Sequence, residues 1–333
     1  MNGLNCDMNS DPLQISVLMS VFNGSKYLDE SIPSILNQTM KGFEFIIVND
    51  GSSDNSLSII QSYANIDPRI VVLNKDNSGL ADSLNQGMQK SKGKWIARID
   101  CDDISMPTRL ENQFLYVSKN PKTVYVGCGM FQVDDQGGYT KEYTYPNRHK
   151  HLLNNLRFVR KFPPHSSAFF SREVAKKIGG YRPLIKRGQD WDLWLRLSNY
   201  GSLACLNDCL VVIRHHRDQI SNDNNGKDQI LFSRMAITDY WIRLISQDEI
   251  AINFIEDFEV FKIFIYDSLE NADLFSYQIY KNKLKKYLSQ KLILNFLGYA
   301  FSKPLFFIRL MASIIVGETL TKKIAHKWIQ VHK

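Results

Sequence analysis

The stretch that decides the fold is WIARIDCDD, residues Trp95–Asp103. Its first five residues are mostly apolar and have the length of a buried strand, whereas its last four contain three carboxylates. Carboxylates at the end of a buried strand repel one another unless a cation neutralises them. The stretch therefore predicts a strand that ends in an oxygen-rich site for Mg²⁺ or Mn²⁺. A solvated acidic loop is the alternative.

Toward the N-terminus the same pattern of a short apolar run followed by a helical stretch occurs three times. The predicted strands are Ile15–Val21, Phe43–Asn49 and Ile70–Leu73. The helical stretches that follow them are Lys26–Gln38, Asp54–Asn65, with Asp54 as the N-cap, and Gly79–Lys90. Such repeats predict an α/β fold, with a Rossmann-like, mostly parallel sheet flanked by helices. Ligands bind at the carboxyl ends of such strands, which is where Asn23, Asp50 and Asp100 are placed.

Beyond the acidic stretch the pattern is less regular. The predicted helices are Pro107–Lys119, Leu152–Arg160 and Asp190–Asn199, and the predicted strands are Val124–Val133, Ser167–Phe170 and Leu210–Ile213. Asp190 begins an amphipathic helix, where the helix N-terminus favours an ionised carboxylate that can accept a proton. The alternative is that Asp190 or Asp192 only caps this helix.

Charge and cysteine content limit the protein's setting. The net charge is +7, but eleven of the 41 Lys and Arg residues lie from Lys281 onward, against the single acid Glu318. This basic tail on a near-neutral body predicts contact with an anionic membrane surface and argues against nucleic-acid binding by the main domain. The five cysteines are scattered and odd in number, which is typical of a reducing compartment. Cys205 and Cys209 are expected to be buried thiols. A zinc site formed by these two cysteines with His215 and His216 is the weaker alternative.

Three regions are predicted along the chain. Residues 1–13 are polar, contain no apolar signal core and are expected to be a flexible terminus, so the expected location is the cytoplasm. A main domain spans residues 14–221, and a helical region with the basic tail spans 227–333, after an Asn-rich boundary. Lys303, Pro304 and Arg309 interrupt the apolar run Leu292–Val316. This interruption favours a helix lying in the membrane interface over a packed subdomain or a membrane span.

Seven segments, in order, resemble the family 2 glycosyltransferases of the GT-A fold. They are ISVLMSVFNG (Ile15–Gly24), IIVNDGSSD (Ile46–Asp54), GLADSLNQG (Gly79–Gly87), ARIDCDD (Ala97–Asp103), HSSAFF (His165–Phe170), GGYR (Gly179–Arg182) and QDWDLWLR (Gln189–Arg196). The likeness covers roughly residues 14–221. It implies a nucleotide-sugar half at about 14–130 and an acceptor half at about 131–221.

The resemblance also implies roles for the residues that match the family's motifs. On the donor side, Asp50 would hold the uracil base and Asp102 would be the principal metal ligand, while Asp100 would face the ribose or the metal. The remaining residues expected to line the nucleotide are Ser20, Val21, Phe22 and Cys101. The segment Arg214–His216 resembles the family's closing segment, so His216 is expected near the diphosphate or the metal.

On the acceptor side, the resemblance makes Asp190 the catalytic base and Asp192 the fallback. The family usually has a Glu before this Asp, whereas this chain has Gln189, which removes one neighbouring charge. The residues expected to contact the acceptor are Trp191, Gly180, Tyr181 and His165. Trp191 and Trp194 are both candidates to stack on sugar rings, with one of the two expected in the core.

The implied activity is an inverting, metal-dependent transfer of glucose or galactose from a UDP donor to a glycan acceptor. The family's enzymes of this length commonly build bacterial surface polysaccharides, such as O-antigen or capsule, on lipid-diphosphate-linked sugars at the inner face of the plasma membrane. Two alternatives remain. A sugar-nucleotidyltransferase would need a longer, Gly-rich phosphate loop after the first strand. A non-catalytic membrane-bound scaffold would have no use for the acidic residues.

Overall fold

The computed structural model describes residues 13–157 and 160–216, together with Phe232, Ser233 and Ala236. The chain divides into two compact units, Met1–Gly226 and Lys227–Lys333. The predicted flexible N-terminus is almost wholly outside the described residues, and so are the helical C-terminal region and its basic tail. Within the described residues, no helix has both the length and the apolar character that a membrane crossing requires.

The first unit contains a nine-stranded sheet with helices packed on it. The strands are β1 (Ile15–Val21), β2 (Phe43–Asp50), β3 (Ile70–Lys75), β4 (Trp95–Arg98), β5 (Ile104–Ser105), β6 (Thr123–Asp134), β7 (Tyr139–Tyr143), β8 (Phe169–Ser171) and β9 (Ser202–His215). The helices are α1 (Leu28–Leu36), α2 (Ser56–Ile66), α3 (Leu80–Lys90), α4 (Arg109–Lys119), α5 (His149–Arg157), α6 (Arg172–Lys177) and α7 (Gln189–Leu197). A single 3₁₀ turn, His165–Ser167, precedes β8.

The first four strands lie in the order β3-β2-β1-β4, and all three of their pairings are parallel. Every residue of β2 is buried, as expected for a strand covered on both faces. The register pairs Asp50 with Lys75 and Leu18 with Arg98. It therefore brings the residues at the carboxyl ends of all four strands to one edge of the sheet. The prediction of a parallel α/β sheet is confirmed for this half.

Helices cover both faces of the parallel strands. The core on one face joins alternate β1 and β2 residues, such as Val17 and Phe45, to the buried sides of α1, α2 and α4. Helix α3 packs on the other face, where a Cβ on Gly87 would lie 2.2 Å from Leu18 Cδ1. Only glycine allows this close approach of helix to strand, because a methyl group at that distance would overlap the leucine.

The second half of the sheet mixes parallel and antiparallel pairings. Strand β8 pairs antiparallel with both β4 and β6, and β9 runs parallel to β6. The short strand β5, just after the acidic stretch, pairs antiparallel with β9. Strand β9 is 14 residues long, much longer than the predicted Leu210–Ile213. Its length carries Arg214 and His216 to the edge where the acidic residues lie.

Several local features differ from the predictions. The segment predicted as a strand at Ser167–Phe170 begins as the 3₁₀ turn, and its strand is Phe169–Ser171. Strands β5 and β7 and helix α6 were not predicted; all residues of β7 but the last are exposed, so it has no apolar periodicity. The N-cap of α2 is Asn55, one residue after the predicted Asp54. The Asp54 carboxylate nevertheless accepts the N–H group of Ser56, the first residue of the helix, as well as that of Ser25, at 3.0 Å each.

Candidate active site at the carboxyl edge of the sheet

The loops after β1 and β2 are tied to each other and form one wall of the site. Asn23 has a left-handed backbone (φ 53°), and its side-chain oxygen accepts the Ser53 N–H at 2.8 Å. The Gly24 N–H donates to Ser56 Oγ at 2.9 Å. Of the residues predicted to line the nucleotide here, Phe22 is 54% exposed, Ser20 is half-buried and Val21 belongs to the core.

Asp50 is buried and fully engaged at the end of β2. Its carboxylate accepts a hydrogen bond from Lys75 Nζ and the N–H groups of Ser78 and Gly79, the last two at 2.9 and 3.0 Å. Burial alone would raise the pKa of Asp50, but the Lys75 and Ser78 hydrogen bonds outweigh it and hold that pKa below its ordinary value. Asp50 is thus an ionised group with a fixed orientation.

The acidic stretch forms the centre of the site. Asp100, Asp102 and Asp103 each offer an oxygen atom within 4.8 Å of the other two. We call these three residues the acidic cluster. The position of Cys101 between them is tightly packed, since a Cβ on Gly24 would lie 2.9 Å from Cys101 Sγ.

Each member of the acidic cluster has a different partner. The Asp100 carboxylate forms a salt bridge with Arg98, a residue whose side chain is 1% exposed. Asp102 contacts His216 Nε2 at 2.9 Å. Asp103 is buried and accepts the Arg214 N–H at 3.1 Å. His216 thus lies against the acidic cluster, where the closing segment was expected.

The charges of the acidic cluster are only partly compensated. Burial by itself would raise the pKa of Asp100, but the positive charge of Arg98 and the hydrogen bonds to the carboxylate together have the larger effect. The pKa of Asp100 is therefore lower than its ordinary value. Burial and the neighbouring Asp100 raise the pKa of Asp102, and burial with the charge of Asp102 raises that of Asp103 well above its usual range. Two carboxylates thus have no full counter-charge, which fits a hard divalent cation with oxygen ligands.

Cys205 and Cys209 do not belong to a possible metal site among the described residues. Among the residues that the structure describes, the acidic cluster is the one group of three metal-ligating side chains close enough to share an ion. Cys205 is buried, and burial raises the pKa of its thiol. The buried-thiol interpretation accounts for it.

The two carboxylates of α7 lie in very different surroundings. Asp192 is 1% exposed and forms ion pairs with Arg182 and Arg196. The Nε atom of each arginine lies 3.0 Å from Asp192 Oδ2. Asp190 is half-buried, and no described side chain donates a hydrogen bond to it. Burial raises the pKa of Asp190 despite the nearby charge of Arg98, and the charge of Asp100 raises it further. The charges of Arg98 and Asp100 thus act on Asp190, and Trp194 of the same helix packs against His165, whose neighbour Ser166 contacts Asp100.

The predicted acceptor residues form the wall next to Asp190. The Trp191 indole N–H donates to the Leu156 carbonyl at 2.8 Å, while Trp194 is fully buried against Tyr125, with ring centroids 4.6 Å apart. Trp194 is therefore the tryptophan that belongs to the core. His165 Nε2 lies 2.9 Å from the hydroxyl of the buried Tyr181, and burial, together with the charge of Arg98, lowers the pKa of His165 well below its usual range.

Gly180 is a packing position in this wall. Its φ is +66°, and a Cβ there would lie 2.3 Å from Asn85 Oδ1. Asn85 also accepts the Tyr181 N–H at 2.8 Å. Glycine is therefore required by the close contact between this loop and α3.

Three residues of the site were not predicted from the sequence. Lys75 anchors Asp50, Arg98 anchors Asp100, and Ser166 contacts the acidic cluster through its hydroxyl. The available signals were a lysine at the carboxyl end of the third strand and an arginine inside an apolar strand. Ser166 gave only its place in the HSSAFF segment.

Comparisons with known proteins identify the family. The family model for glycosyl transferase family 2 matches residues 16–179. An O-antigen biosynthesis glycosyltransferase, WbnJ of Escherichia coli, is 35% identical over 61% of this chain and 80% of its own length. An uncharacterized glycosyltransferase of Haemophilus influenzae is 30% identical over 88% of this chain and 92% of its own length.

The fold also has a counterpart among solved structures. The crystal structure of S. aureus TarS 1-349 in complex with UDP aligns with a TM-score of 0.57 at 15% identity, covering 95% of this chain and 91% of that one. The family match and the relatives identify a glycosyltransferase, and its fold is of the GT-A type. The chain belongs to glycosyl transferase family 2, as its seven segments indicated.

Proposed function

We propose that this chain is an inverting, metal-dependent glycosyltransferase that moves a hexose from a UDP-sugar to a glycan acceptor. The observation that carries the proposal is that the 3₁₀ turn His165–Ser167 links the helix of Asp190 to the acidic cluster, since His165 packs against Trp194 of α7 and Ser166 contacts Asp100. A base without a described side-chain partner and a site for a cation are thus held by one turn. A single displacement needs both, one at the acceptor and the other at the leaving group.

In this mechanism Asp190 accepts the proton of the acceptor hydroxyl. The hydroxyl oxygen forms a bond to the anomeric carbon as the bond from that carbon to the phosphate oxygen of UDP breaks. Because the nucleophile enters opposite the leaving group, an α-linked donor yields a β-linked product. The raised pKa of Asp190 makes it a stronger base than an exposed aspartate.

Asp192 is a poor candidate for the base. Both of its oxygen atoms are bound by arginines, and its pKa is lowered because the charges of Arg196 and Arg182 outweigh the effect of burial. A carboxylate stabilised in this way has little tendency to take a proton. We assign Asp192 to holding α7 against the loop that carries Arg182.

The donor side binds the nucleotide. Asp102 and Asp100 are the metal ligands we propose, with His216 beside Asp102. A bound Mn²⁺ or Mg²⁺ would supply charge stabilisation for the departing diphosphate. Asp50, oriented by Lys75, faces the base, and Ser20, Val21, Phe22 and Cys101 form the adjoining wall. The UDP and UDP-GlcNAc complexes of TarS support a UDP donor, for which we propose glucose or galactose as the sugar.

The cellular setting we propose is surface-polysaccharide synthesis. The name of WbnJ assigns that relative to O-antigen biosynthesis. Eleven basic residues from Lys281 onward favour peripheral attachment to an anionic membrane, and hence a lipid-diphosphate-linked acceptor at the cytoplasmic face. Acceptor contacts are assigned to Trp191, Tyr181, His165 and the Gly180 loop.

The decisive experiment measures UDP release from UDP-glucose, UDP-galactose and UDP-GlcNAc, with Mn²⁺ or with EDTA, before and after adding lipid-diphosphate-linked acceptors. We expect release that requires metal and rises with acceptor, and a β-linked product by NMR. Asp102→Ala should abolish transfer and leave the fold intact. Asp67→Ala is the matched control, because Asp67 pairs with Arg69 at the opposite end of β3.

Three outcomes would contradict the proposal or a part of it. Pyrophosphate release from a nucleoside triphosphate would indicate a sugar-nucleotidyltransferase. Absence of any metal-linked UDP binding in calorimetry would indicate a non-catalytic protein of the same fold. Normal turnover by Asp102→Ala would refute the assignment of Asp102 as a metal ligand.

A further inference from the structure

The hydroxyl of Ser166 lies at the centre of the polar contacts under the acidic cluster. Its Oγ lies 2.9 Å from Asp100 Oδ2 and also contacts Asp103 Oδ2. On its other side it accepts the Asp100 N–H at 3.0 Å and an Arg98 N–H at 3.1 Å. Ser166 itself is buried. One side chain therefore touches two members of the acidic cluster and the arginine that holds Asp100.

The number of hydrogen bonds that one hydroxyl can donate and accept limits how Ser166 contacts the two carboxylates. A hydroxyl has one hydrogen to donate and two lone pairs with which to accept. The N–H groups of Asp100 and Arg98 use both lone pairs, so the single hydrogen is left for the carboxylates. It serves one carboxylate oxygen at a time. Ser166 thus orients the carboxylates of Asp100 and Asp103. Its one hydrogen bond does not neutralise their negative charges, which can still bind a cation.

The turn that carries Ser166 contacts both sides of the site. The 3₁₀ turn His165–Ser167 connects the acceptor wall to the donor side, since His165 contacts Tyr181 while Ser166 contacts the acidic cluster. The segment HSSAFF was assigned to the acceptor half on its likeness to the family. Its second residue points to the donor half instead.

We propose that Ser166 is a positioning residue for the cation and the diphosphate, acting through Asp100 and Asp103. This inference rests on the proposed function. Groups that orient metal ligands typically change metal affinity by 10–100-fold when they are removed. Loss of the Ser166 hydroxyl should therefore weaken metal binding far more than acceptor binding.

The chain offers a matched control in the next residue. Ser167 is equally buried and lies in the same turn, but its hydroxyl donates to the Pro164 carbonyl at 2.8 Å. Ser167→Ala removes the same atoms as Ser166→Ala, from the same turn, without a contact to the acidic cluster. Any difference between the two variants reports on the acidic cluster.

The experiment measures Mn²⁺ binding to the full chain by electron paramagnetic resonance of free Mn²⁺, and UDP binding by calorimetry with and without Mn²⁺. We expect Ser166→Ala to weaken Mn²⁺ binding about tenfold or more, and Ser167→Ala to change it less than twofold. The Mn²⁺ concentration for half-maximal turnover should rise in parallel for Ser166→Ala, while the KM for the acceptor stays constant. Ser166→Thr keeps the hydroxyl and should restore much of the binding.

The outcomes separate this inference from the proposed function. Mn²⁺ binding by the wild type with unchanged affinity in Ser166→Ala would overturn the positioning role alone. Absence of Mn²⁺ binding by the wild type with UDP present would overturn both. If Ser166→Ala fails to fold, Ser166→Cys is measured instead, because a thiol fills the space that the alanine leaves empty, although it is larger than a hydroxyl, and is a weak hydrogen-bond donor. Unchanged Mn²⁺ affinity in that variant would equally reject the role.

Discussion

The carboxyl edge of the sheet and the N-terminus of α7 each combine a paired carboxylate with one that lacks a full counter-charge. At the sheet edge Asp100 is paired with Arg98, whereas burial and the charge of Asp100 raise the pKa of Asp102. At α7, Asp192 is bound by two arginines, but Asp190, two residues away, is bound by no described side chain. The two regions differ in what the second carboxylate is proposed to take up, a metal ion at the sheet edge and a proton at α7, and in both the paired carboxylate is oriented in advance.

The largest effect should come from Asp190→Asn. The amide has nearly the same shape but cannot accept the acceptor's proton, so we expect kcat to fall roughly 10²–10⁴-fold. UDP affinity should stay unchanged and thermal stability should not fall, because no described side chain depends on this carboxylate and its burial disfavours the charged form. Single-turnover assays with a defined acceptor check the rate. A kcat within tenfold of the wild type would show that Asp190 is not the base.

The next largest effect should be on stability, from Asp192→Asn. This change leaves two arginines facing a neutral amide in a buried position, and breaking such a pair costs about 3–5 kcal/mol of the free energy of unfolding. Urea titration followed by tryptophan fluorescence measures it, since Trp191 and Trp194 flank the site. Asp190→Asn is the control and should unfold at a urea concentration no lower than that of the wild type, because the amide removes a buried charge. Equal stability of the two variants would remove the contrast between the two carboxylates.

The smallest effect concerns pH. Asp190 must be ionised to act, and burial raises its pKa, so kcat/KM should fall as the pH is lowered through that raised value. The decline should begin at a higher pH than an exposed aspartate, with a pKa of about 3.9, would produce. A pH profile of kcat/KM for the acceptor measures it. An acid limb at the ordinary aspartate value would contradict the burial of the base.

Much of the donor half was predictable because its signals are local. Apolar runs such as Phe43–Asn49 differ from the strand β2 by a single residue at one end, since strands buried on both faces have few polar positions. The acidic cluster was visible as three carboxylates after such a run. The acceptor half was less predictable, because β7 is exposed and the length of β9 depends on pairing with β6.

The partners of the carboxylates were beyond prediction for a different reason. Asp100 and Ser166 are 66 residues apart, and Asp103 and Arg214 are 111 apart. Nothing local relates such residues. In contrast, Asp192 and Arg196 form an i,i+4 pair on α7 that the sequence could have indicated. The second arginine on Asp192, Arg182, and the absence of a described side-chain partner for Asp190 required the structure.

The sequence by itself determined the parallel half of the sheet, the family and the positions of the candidate carboxylates, because periodicity and motif order are properties of neighbouring residues. Only the tertiary structure showed that Asp190 has no described side-chain partner, that Arg182 joins Arg196 on Asp192, and that Ser166 contacts the acidic cluster. Burial and contacts between distant parts of the chain set both pKa and orientation, and neighbouring residues alone do not reveal them.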